Sequence, residues 1–286
     1  MKIAMFGATG MLGKPVAERL TTEGHTLTAL VRPGKEKHVP PSCNIVVGDL
    51  KNRKDIRETI SGCEAIYLSL SVAQSSTERD FQPEREGILL VLEEAVKEGI
   101  QVIGYLSSLV QQYQGMNGFS WWAFRLKNQA VETLKKHSIP CIIFRPSTFM
   151  ENFDQGSYRQ GGNIALSGTS KHPMYFIAGR DYARMVANAL AKYKGSNVEY
   201  TIQGTEAFTA DEAAKIFVSH YKKEKMKIVK LPFWMLRLFG KLTPTFNYGA
   251  NIVEALNNYP EHFEGTNAWE QLGKPVLTLK EYAESR

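Results

Sequence analysis

The sequence predicts an α/β protein in which a doubly wound parallel sheet is followed by a smaller α/β lobe at the carboxyl-terminal end. Short apolar runs typical of strands alternate with helical patterns six times within residues 1–145. Such alternation is typical of a parallel sheet with helices on both faces. The turn after the first strand is rich in glycine, and the alternation becomes irregular after Pro146. A second unit is therefore expected beyond that residue.

Individual elements follow from apolar periodicity, from glycines that end helices and from capping boxes that begin them. The two capping boxes are Thr209 with Glu212 and Thr278 with Glu281. The first half is predicted to contain, in order, a strand over 3–6, a helix over 11–23, strands over 26–31 and 44–47, a helix over 54–61, a strand over 65–70, a helix over 85–98, a strand over 101–106, a helix over 119–137 and a strand over 141–144. The second half is predicted to contain a loop over 154–173, strands over 174–178 and 198–202, and helices over 180–193, 209–221, 233–242, 248–258 and from 278 onward.

These elements predict two units. Residues 1–153 form a Rossmann-type nucleotide-binding domain, and residues 174–202 return to it. Residues 154–173 and 203–286 form a smaller substrate lobe. We expect this lobe to lie over the carboxyl edge of the sheet, because ligands of open α/β folds bind at that edge.

Composition and charge narrow the functional classes. The chain has 286 residues, of which 43% are hydrophobic and 22% charged, as in a globular protein with a full core. Three cysteines without a CxxC pair and six scattered histidines predict neither a disulfide framework nor a metal site. The net charge is +6, and the densest basic cluster, Lys222–Lys227, is interpreted as a solvated helix end. We expect a cytoplasmic protein with a small-molecule substrate and neither a nucleic-acid nor a membrane partner.

A glycine-rich turn links the first strand to the first helix. Gly7, Gly10 and Gly13 stand at three-residue intervals after a buried strand, which is the arrangement that binds a dinucleotide. Gly7 permits the tight turn, Gly10 lets backbone amides approach a pyrophosphate, and Gly13 lets the helix pack closely on the sheet. The amino terminus of the helix adds free N–H groups and a partial positive charge.

The end of the second strand distinguishes NADP from NAD. A carboxylate there binds the ribose 2′-hydroxyl of NAD, whereas an arginine accepts the 2′-phosphate of NADP. This chain has Arg32 at that position, no acidic residue, and Lys35 nearby. Because a guanidinium forms forked, charge-assisted bonds to phosphate, the sequence predicts NADP rather than NAD.

These motifs resemble those of the atypical short-chain dehydrogenases/reductases, and more narrowly of the NmrA-like NAD(P)-binding group. That group includes quinone reductases, redox sensors and relatives of isoflavone reductase. The resemblance covers nearly the whole chain, but it specifies no substrate. It rests on residues 7–13, Arg32, residues 47–50 and 105–108, Lys127, residues 145–153 and the tail from 278 to 282.

The resemblance also implies residue roles. Lys127 would contact the nicotinamide ribose, and Ser107 would face the reacting centre. For Asp49, a role in forming a turn is an equal alternative to bordering the adenine. The implied cofactor contacts are Gly7, Thr9, Gly10, Met11, Leu12, Gly13, Arg32, Asp49, Leu50, Ser69, Leu70, Lys127, Pro146 and Phe149. The implied substrate contacts are Trp121, Trp122, Phe149 and Asn152, although helical spacing also favours core packing for at least one residue of the aromatic group Trp121, Trp122 and Phe124.

One position departs from the superfamily pattern. The usual catalytic tyrosine stands four residues before the lysine, and this chain has Ala123 there. Lys127 would then either supply a proton or only hold the ribose. The resemblance implies an NADP(H)-dependent oxidoreductase acting on a quinone or another unsaturated carbonyl. The alternatives are a non-catalytic NADP(H) sensor with a protein partner and a nucleotide-sugar epimerase or dehydratase, and the oligomeric state is not predicted.

Overall fold

In the computed structural model, which describes all 286 residues, the first half of the chain alternates strands and helices as predicted. Its elements are β1 (Lys2–Phe6), α1 (Gly13–Thr22), β2 (Thr26–Val31), β3 (Asn44–Val47), α2 (Arg53–Ile60), β4 (Ala65–Leu68), α3 (Ile88–Lys97), β5 (Val102–Leu106), α4 (Trp122–Lys136) and β6 (Cys141–Pro146). The prediction that the fourth helix begins at Phe119 is wrong. Both Phe119 and Trp121 have extended backbones, so α4 begins at Trp122.

The second half contains more regular structure than the sequence indicated. Its elements are β7 (Arg159–Gln160), β8 (Asn163–Ser167), β9 (Met174–Tyr175), α5 (Gly179–Ala191), β10 (Val198–Ile202), β11 (Ala207–Phe208), α6 (Ala210–His220), β12 (Lys227–Leu231), α7 (Phe233–Gly240), α8 (Pro244–Asn258), α9 (Thr266–Leu272) and α10 (Leu279–Glu284). Both predicted capping boxes are present.

Two second-half predictions are corrected, and one helix is added. The predicted loop over 154–173 contains the hairpin of β7 and β8, whose turn includes Gly161 at a φ of +60°. The lysine cluster is not a helix end, because α6 ends at His220 and Lys227 begins β12. Helix α9 was not predicted from the sequence.

The central sheet has seven parallel strands in the order β10-β6-β5-β4-β1-β2-β3. The order reverses at β1, whose Phe6 pairs with Leu30 of β2 on one side and Leu68 of β4 on the other. This reversal is the topological switch point at which doubly wound sheets bind ligands. Strand β10 joins the sheet beside β6, whereas β9 pairs only with β11 outside it.

Apolar cores lie on both faces of the sheet. One packs α1, α5 and α9 against the strands, and the other packs α2, α3 and α4. The smaller lobe has its own core between β8, α6 and α10. A fourth cluster joins the two units, because Trp121 and Phe124 pack with Ala255 and Tyr259 of the α8 region. This last cluster seats α8 over the carboxyl edge of the sheet.

No helix combines the length and the apolar character that crossing a lipid bilayer requires. The three cysteines, Cys43, Cys63 and Cys141, are free and buried. No group of His, Cys, Asp and Glu side chains is arranged to hold a metal ion.

Candidate functional site

The turn between β1 and α1 requires glycine at two of its three glycine positions. Gly7 has a φ of +91°, and a Cβ there would lie 2.1 Å from the carbonyl oxygen of Ser69. A Cβ on Gly13 would lie 2.0 Å from the carbonyl oxygen of Gly7. A Cβ on Gly10 would meet only that oxygen, at 3.3 Å. Gly7 and Gly13 therefore serve the packing of the turn, whereas a Cβ at Gly10 would fit if the Gly7 carbonyl oxygen shifted by a few tenths of an ångström.

The first turn of α1 presents free amide donors. The backbone N–H groups of Met11, Leu12 and Gly13 donate no hydrogen bond, and no side chain caps this helix. No acidic residue stands in its first turn. Free N–H groups at the positive end of a helix dipole bind anions. These observations fit the pyrophosphate of a dinucleotide.

A cleft of about 590 Å³ opens beside this turn, over the carboxyl ends of the central strands. Its opposite wall comes from the smaller lobe, through Tyr248, Ile252, Leu256, Tyr259 and Glu261. Ten of the residues predicted for the site line it: Gly10, Met11, Leu12, Ser69, Leu70, Ser107, Lys127, Pro146, Phe149 and Asn152. The structure thus brings most of the predicted residues into one cavity.

Arg32 lies outside the cleft wall but at the same edge of the sheet. Because Phe6 pairs with Leu30, Arg32 stands level with Ala8 in the glycine turn. Its side chain is exposed, and its guanidinium takes part in none of the ion pairs of the chain. A free guanidinium one strand away from the anion-binding turn fits the 2′-phosphate of NADP.

Five other residues that were predicted to contact the cofactor do not line the cleft, and they form part of nearby turns and packing contacts. Gly7, Gly13 and Thr9 belong to the turn itself. The carboxylate of Asp49 accepts a 2.9 Å hydrogen bond from the backbone N–H of Lys51, which closes a turn after β3. Leu50 packs closely on Gly87. The turn-forming role weighed for Asp49 is thus present in the structure.

Lys127 is held by a buried carboxylate that the sequence did not reveal. Its Nζ donates to Glu84 Oε1, and the Tyr105 hydroxyl donates to the same oxygen over 2.6 Å. The Glu84 side chain is 1% exposed and that of Lys127 is 15% exposed. Burial, together with the negative charge of Glu84, raises the pKa of Tyr105 well above its usual range. Since an ammonium has three donors, Lys127 retains donors for the cleft that it lines.

The tyrosine missing at position 123 is not replaced by Tyr105 or Tyr113. Tyr105 is fully buried and bonded to Glu84, and Tyr113 packs against Phe119 with ring centroids 4.9 Å apart. The cleft instead receives Tyr248 from α8, and its hydroxyl makes no hydrogen bond with the protein. Burial, and then the nearby charge of Glu84, raises the pKa of Tyr248 to about 12. This hydroxyl therefore stays protonated at neutral pH.

Ser107 lines the cleft at the end of β5 and is 3% exposed. Its hydroxyl donates a 3.1 Å hydrogen bond to Gln111 Oε1, and the Gln111 amide donates to Asn128 Oδ1 over 2.9 Å. This chain of hydrogen bonds fixes the orientation of the hydroxyl. The Ser107 oxygen therefore faces the cleft chiefly as an acceptor.

Trp121 and Trp122, which the sequence predicts to contact the substrate, do not line the large cleft. They line a separate cavity of about 290 Å³ together with Leu242. Trp121 is 4% exposed and packs edge-on against Tyr248 at 4.9 Å. The Trp121 ring therefore supports Tyr248, which lines the cleft.

A second buried carboxylate, Glu261, closes the far end of the cleft. It accepts hydrogen bonds from the Ser147 hydroxyl at 2.8 Å, the Gln203 amide at 2.7 Å and the Tyr175 N–H at 3.3 Å. Burial raises the pKa of Glu261 above its ordinary value. Its partners come from both units, so it connects the end of β6 to the smaller lobe.

Comparison with known proteins identifies relatives over nearly the whole chain. The profile of the NmrA-like family matches residues 1–279. The photosystem II assembly factor Ycf39 of Trieres chinensis is 21% identical over 261 residues, which are 90% of this chain and 80% of that protein. A (4-alkanoyl-5-oxo-2,5-dihydrofuran-3-yl)methyl phosphate reductase of Streptomyces griseus is 28% identical over 213 residues, which are 73% of this chain and 70% of that protein.

Solved structures show the same fold. The NADPH-dependent quinone oxidoreductase QOR2 of Escherichia coli, solved in complex with NADPH, superposes with a TM-score of 0.75 at 17% identity. The match covers 100% of this chain and 99% of that one. Sugar-nucleotide epimerases superpose comparably. At these identities the likeness establishes the architecture only, and the reaction has to be inferred from the residues of the site.

Proposed function

The chain belongs to the NmrA-like family, and from this premise we propose that it is an NADP(H)-dependent oxidoreductase that transfers hydride to a quinone or another unsaturated carbonyl. The observation that carries the proposal is the glycine turn, whose free amides at Met11 and Leu12 belong to residues that line the same cleft as Lys127. An anion-binding helix terminus and a substrate-sized cavity thus adjoin each other. The relatives named as a reductase and as an NADPH-dependent quinone oxidoreductase support this assignment.

The residues of this chain would divide the binding of the cofactor between them. The amides of Met11, Leu12 and Gly13 hold the pyrophosphate, and Arg32 holds the 2′-phosphate. Lys127, positioned by Glu84, donates to the nicotinamide ribose. When bound, the reduced nicotinamide supplies the hydride. The exposed and unpaired state of Arg32 favours NADP over NAD.

A proton must follow the hydride onto the acceptor oxygen. We assign its delivery to Tyr248, because this residue lines the cleft and its hydroxyl has no protein partner and stays protonated. Tyr248 belongs to the opposite wall of the cleft and takes the role of the tyrosine that Ala123 replaces in this chain. A flat acceptor would lie between Tyr248 and the segment from Pro146 to Phe149, which also lines the cleft.

The test combines binding and turnover. Calorimetry with NADPH should show binding, and NADPH oxidation should follow the addition of members of a quinone and enone panel. Tyr248→Phe should lower kcat about a hundredfold, the usual contribution of a general acid, with the Kd for NADPH unchanged. Tyr113→Phe is the matched control, since that buried ring lies outside the cleft and should leave kcat unaltered. Absence of NADPH binding contradicts the proposal as a whole, and an unchanged kcat in Tyr248→Phe removes that residue from it.

A second candidate function is a non-catalytic NADP(H) sensor with a protein partner. The observation that favours it is Ala123, which is 4% exposed and offers no proton to the cleft. A sensor would bind NADPH and NADP without turnover of any acceptor, and its association with a partner would differ between the two forms. Tight binding combined with no oxidation across the panel would select this function over the first.

A further inference from the structure

Residues 222–246 form a surface that the proposed reaction does not use, and we call it the basic–apolar face. It comprises the turn before β12, β12 itself, α7 and the connection to α8. Eight of the sixteen exposed large apolar side chains of the protein lie on these residues. They include Trp234 at 66%, Leu238 at 53%, Leu242 at 72% and Phe246 at 48% exposure. Large apolar side chains exposed together along one segment of the chain indicate an interaction site.

The same face carries the net charge of the protein. The chain has 35 Lys and Arg and 29 Asp and Glu, and residues 222–246 contain seven of those cations and a single carboxylate, Glu224. The remainder of the chain therefore has 28 of each sign and no net charge. Glu224 is paired with Arg159 from β7. The five lysines at 222, 223, 225, 227 and 241 have no ion-pair partner among those of the chain.

No other part of the chain covers this face. Strand β12 pairs only with β8, and all five of its residues are exposed. Helix α7 packs chiefly on α8 and buries only its last residue, Gly240, fully. The apolar side chains of α7 and the lysines around them are therefore available to a partner from outside.

The charge selects the kind of partner. Two copies of the face would oppose one cationic surface to another, without free carboxylates to neutralise it. A nucleic acid would leave the tryptophan, leucine and phenylalanine side chains without apolar contacts. An anionic lipid surface satisfies both components, because Trp, Phe and Leu enter the headgroup boundary while lysines attract the lipid charge.

We propose that the basic–apolar face docks the protein on the surface of an anionic lipid bilayer. This mode of binding requires no spanning helix, and it reverses the expectation from the sequence that the protein has no membrane partner. Docking would also orient the substrate site. Lys241 and Leu242 line the smaller cavity together with Tyr248, which lines the large cleft as well, so the face adjoins the acceptor end of the site. The proposal goes beyond the proposed reaction and does not depend on it.

Flotation with lipid vesicles tests the proposal in the absence of cofactor and substrate, so that its outcome is independent of the proposed function. The full-length protein should float with vesicles of phosphatidylglycerol mixed with phosphatidylcholine, and should bind weakly to phosphatidylcholine alone. High salt should weaken the binding. Lys225→Ala should lower the partition coefficient about fivefold, as expected for one cation near an anionic surface. Leu242→Asp should abolish flotation.

Two control variants match these changes elsewhere on the surface. Val276→Asp alters a side chain that is 73% exposed, against 72% for Leu242, and Lys280→Ala removes an unpaired lysine outside the face. Both should bind as the unaltered protein does, and far-UV circular dichroism should show that every variant is folded. No flotation with anionic vesicles, or equal loss in the control variants, overturns the proposal. A dimer in size-exclusion chromatography that Leu242→Asp dissociates, without vesicle binding, would show that a second copy covers the face instead.

Discussion

The three glycines of the β1–α1 turn have different tolerances for a side chain, although they form one motif in the sequence. A Cβ on Gly13 would meet backbone at 2.0 Å, whereas a Cβ on Gly10 would meet one oxygen at 3.3 Å. Gly13→Ala should therefore lower the free energy of unfolding by about 3 kcal/mol, the upper range for overpacking. Gly10→Ala should lower it by only about 1 kcal/mol, because the Gly7 carbonyl oxygen must move by no more than a few tenths of an ångström. Urea denaturation of both variants measures the difference.

Gly10→Ala should nevertheless impair the site. Its methyl group occupies the approach to the free amides, so NADPH binding should weaken about tenfold or more, the value of a charged hydrogen bond. Calorimetry measures this Kd, with the unaltered protein as reference. Full NADPH affinity in Gly10→Ala would contradict the assignment of this turn to the pyrophosphate.

Arg32 should determine the choice between the two nicotinamide cofactors. Its guanidinium has no partner in the protein, so removing it costs the fold little and removes one charge-assisted contact to the 2′-phosphate. Arg32→Ala should weaken NADPH binding about ten- to a hundredfold and leave NADH binding unchanged. Lys35→Ala, three residues away, is the control and should have a smaller effect. Equal losses for NADPH and NADH would assign Arg32 to another role.

Sequence motifs predict the residues of the glycine turn and Lys127, but not the side chains that come to the cleft from distant parts of the chain. The glycines and Arg32 belong to local patterns at strand ends, and Lys127 is named by the resemblance to the family. Glu84 has no such pattern, since it stands 43 residues from Lys127 and meets it only through the packing of α4. Tyr248 likewise reaches the cleft from the other unit. Contacts of this range depend on the tertiary arrangement, which local spacing does not encode.

At the scale of elements, two helices have carboxylates at their amino termini with opposite consequences for stability. Buried Glu151 accepts hydrogen bonds from the Gly179 N–H at the start of α5, and exposed Glu212 closes the capping box of α6. Burial raises the pKa of Glu151 from 4.5 to about 7, despite those bonds and the proximity of Arg286. The bonds to Thr209 lower the pKa of Glu212 instead.

The sign of the pH dependence follows from these shifts. A folded-state pKa raised above the unfolded value favours the protonated carboxyl. The contribution of Glu151 to the free energy of unfolding is therefore complete below pH 4.5, and it is lost as the pH rises through about 7. The loss should amount to about 3 kcal/mol, at 1.36 kcal/mol per unit of pKa. Glu151→Gln, a neutral isostere, should remove this loss in denaturant unfolding compared across that range.

Glu212→Gln provides the opposite control. Because the pKa of Glu212 is lowered, its contribution is present above the ordinary value of 4.5 and is lost on acidification. The variant should thus differ from the unaltered protein at neutral pH rather than in acid. If the stability of Glu151→Gln depends on pH in the same way as that of the unaltered protein, the Glu151 carboxyl is hydrated in the folded state and its pKa is not raised.

Element boundaries show where sequence patterns were insufficient. The strands of the central sheet are predominantly apolar and were predicted within a few residues. Residues 154–173 were predicted as a loop because they are rich in Gly, Ser and Gln, yet β8 forms there through pairing with β12. Strand β12 carries lysines between its apolar residues, and this pattern is also typical of a solvated segment. Strands of weakly apolar composition can form because they pair with each other, and pairing between distant segments is not visible in the local sequence.

At the scale of the whole molecule, the two predicted units share cores and are therefore expected to unfold together. Helix α9, near the end of the chain, packs in the same core as β1 and α5, and Trp121 and Phe124 pack with Ala255 of α8. Glu261 adds hydrogen bonds from Ser147 and Gln203. Neither unit would retain its buried surface if the other unfolded. One cooperative transition should therefore describe both.

Cofactor binding should stabilise this single unit as a whole. A ligand that binds only the folded state adds about 2.7 kcal/mol when present at a hundred times its Kd, and the cleft that would bind NADPH has walls from both units. Thermal unfolding followed by far-UV circular dichroism and by tryptophan fluorescence should give one coincident midpoint, and NADPH should raise it equally for both probes. Trp269 of α9 and Trp122 of α4 report on different parts of the molecule.

Because Arg32→Ala loses affinity for NADPH without losing packing, its unfolding midpoint should match that of the unaltered protein in the absence of NADPH and should rise less when NADPH is added. Separate midpoints for the two probes would show that the lobe around α8 folds independently and that the cleft is an interface between domains.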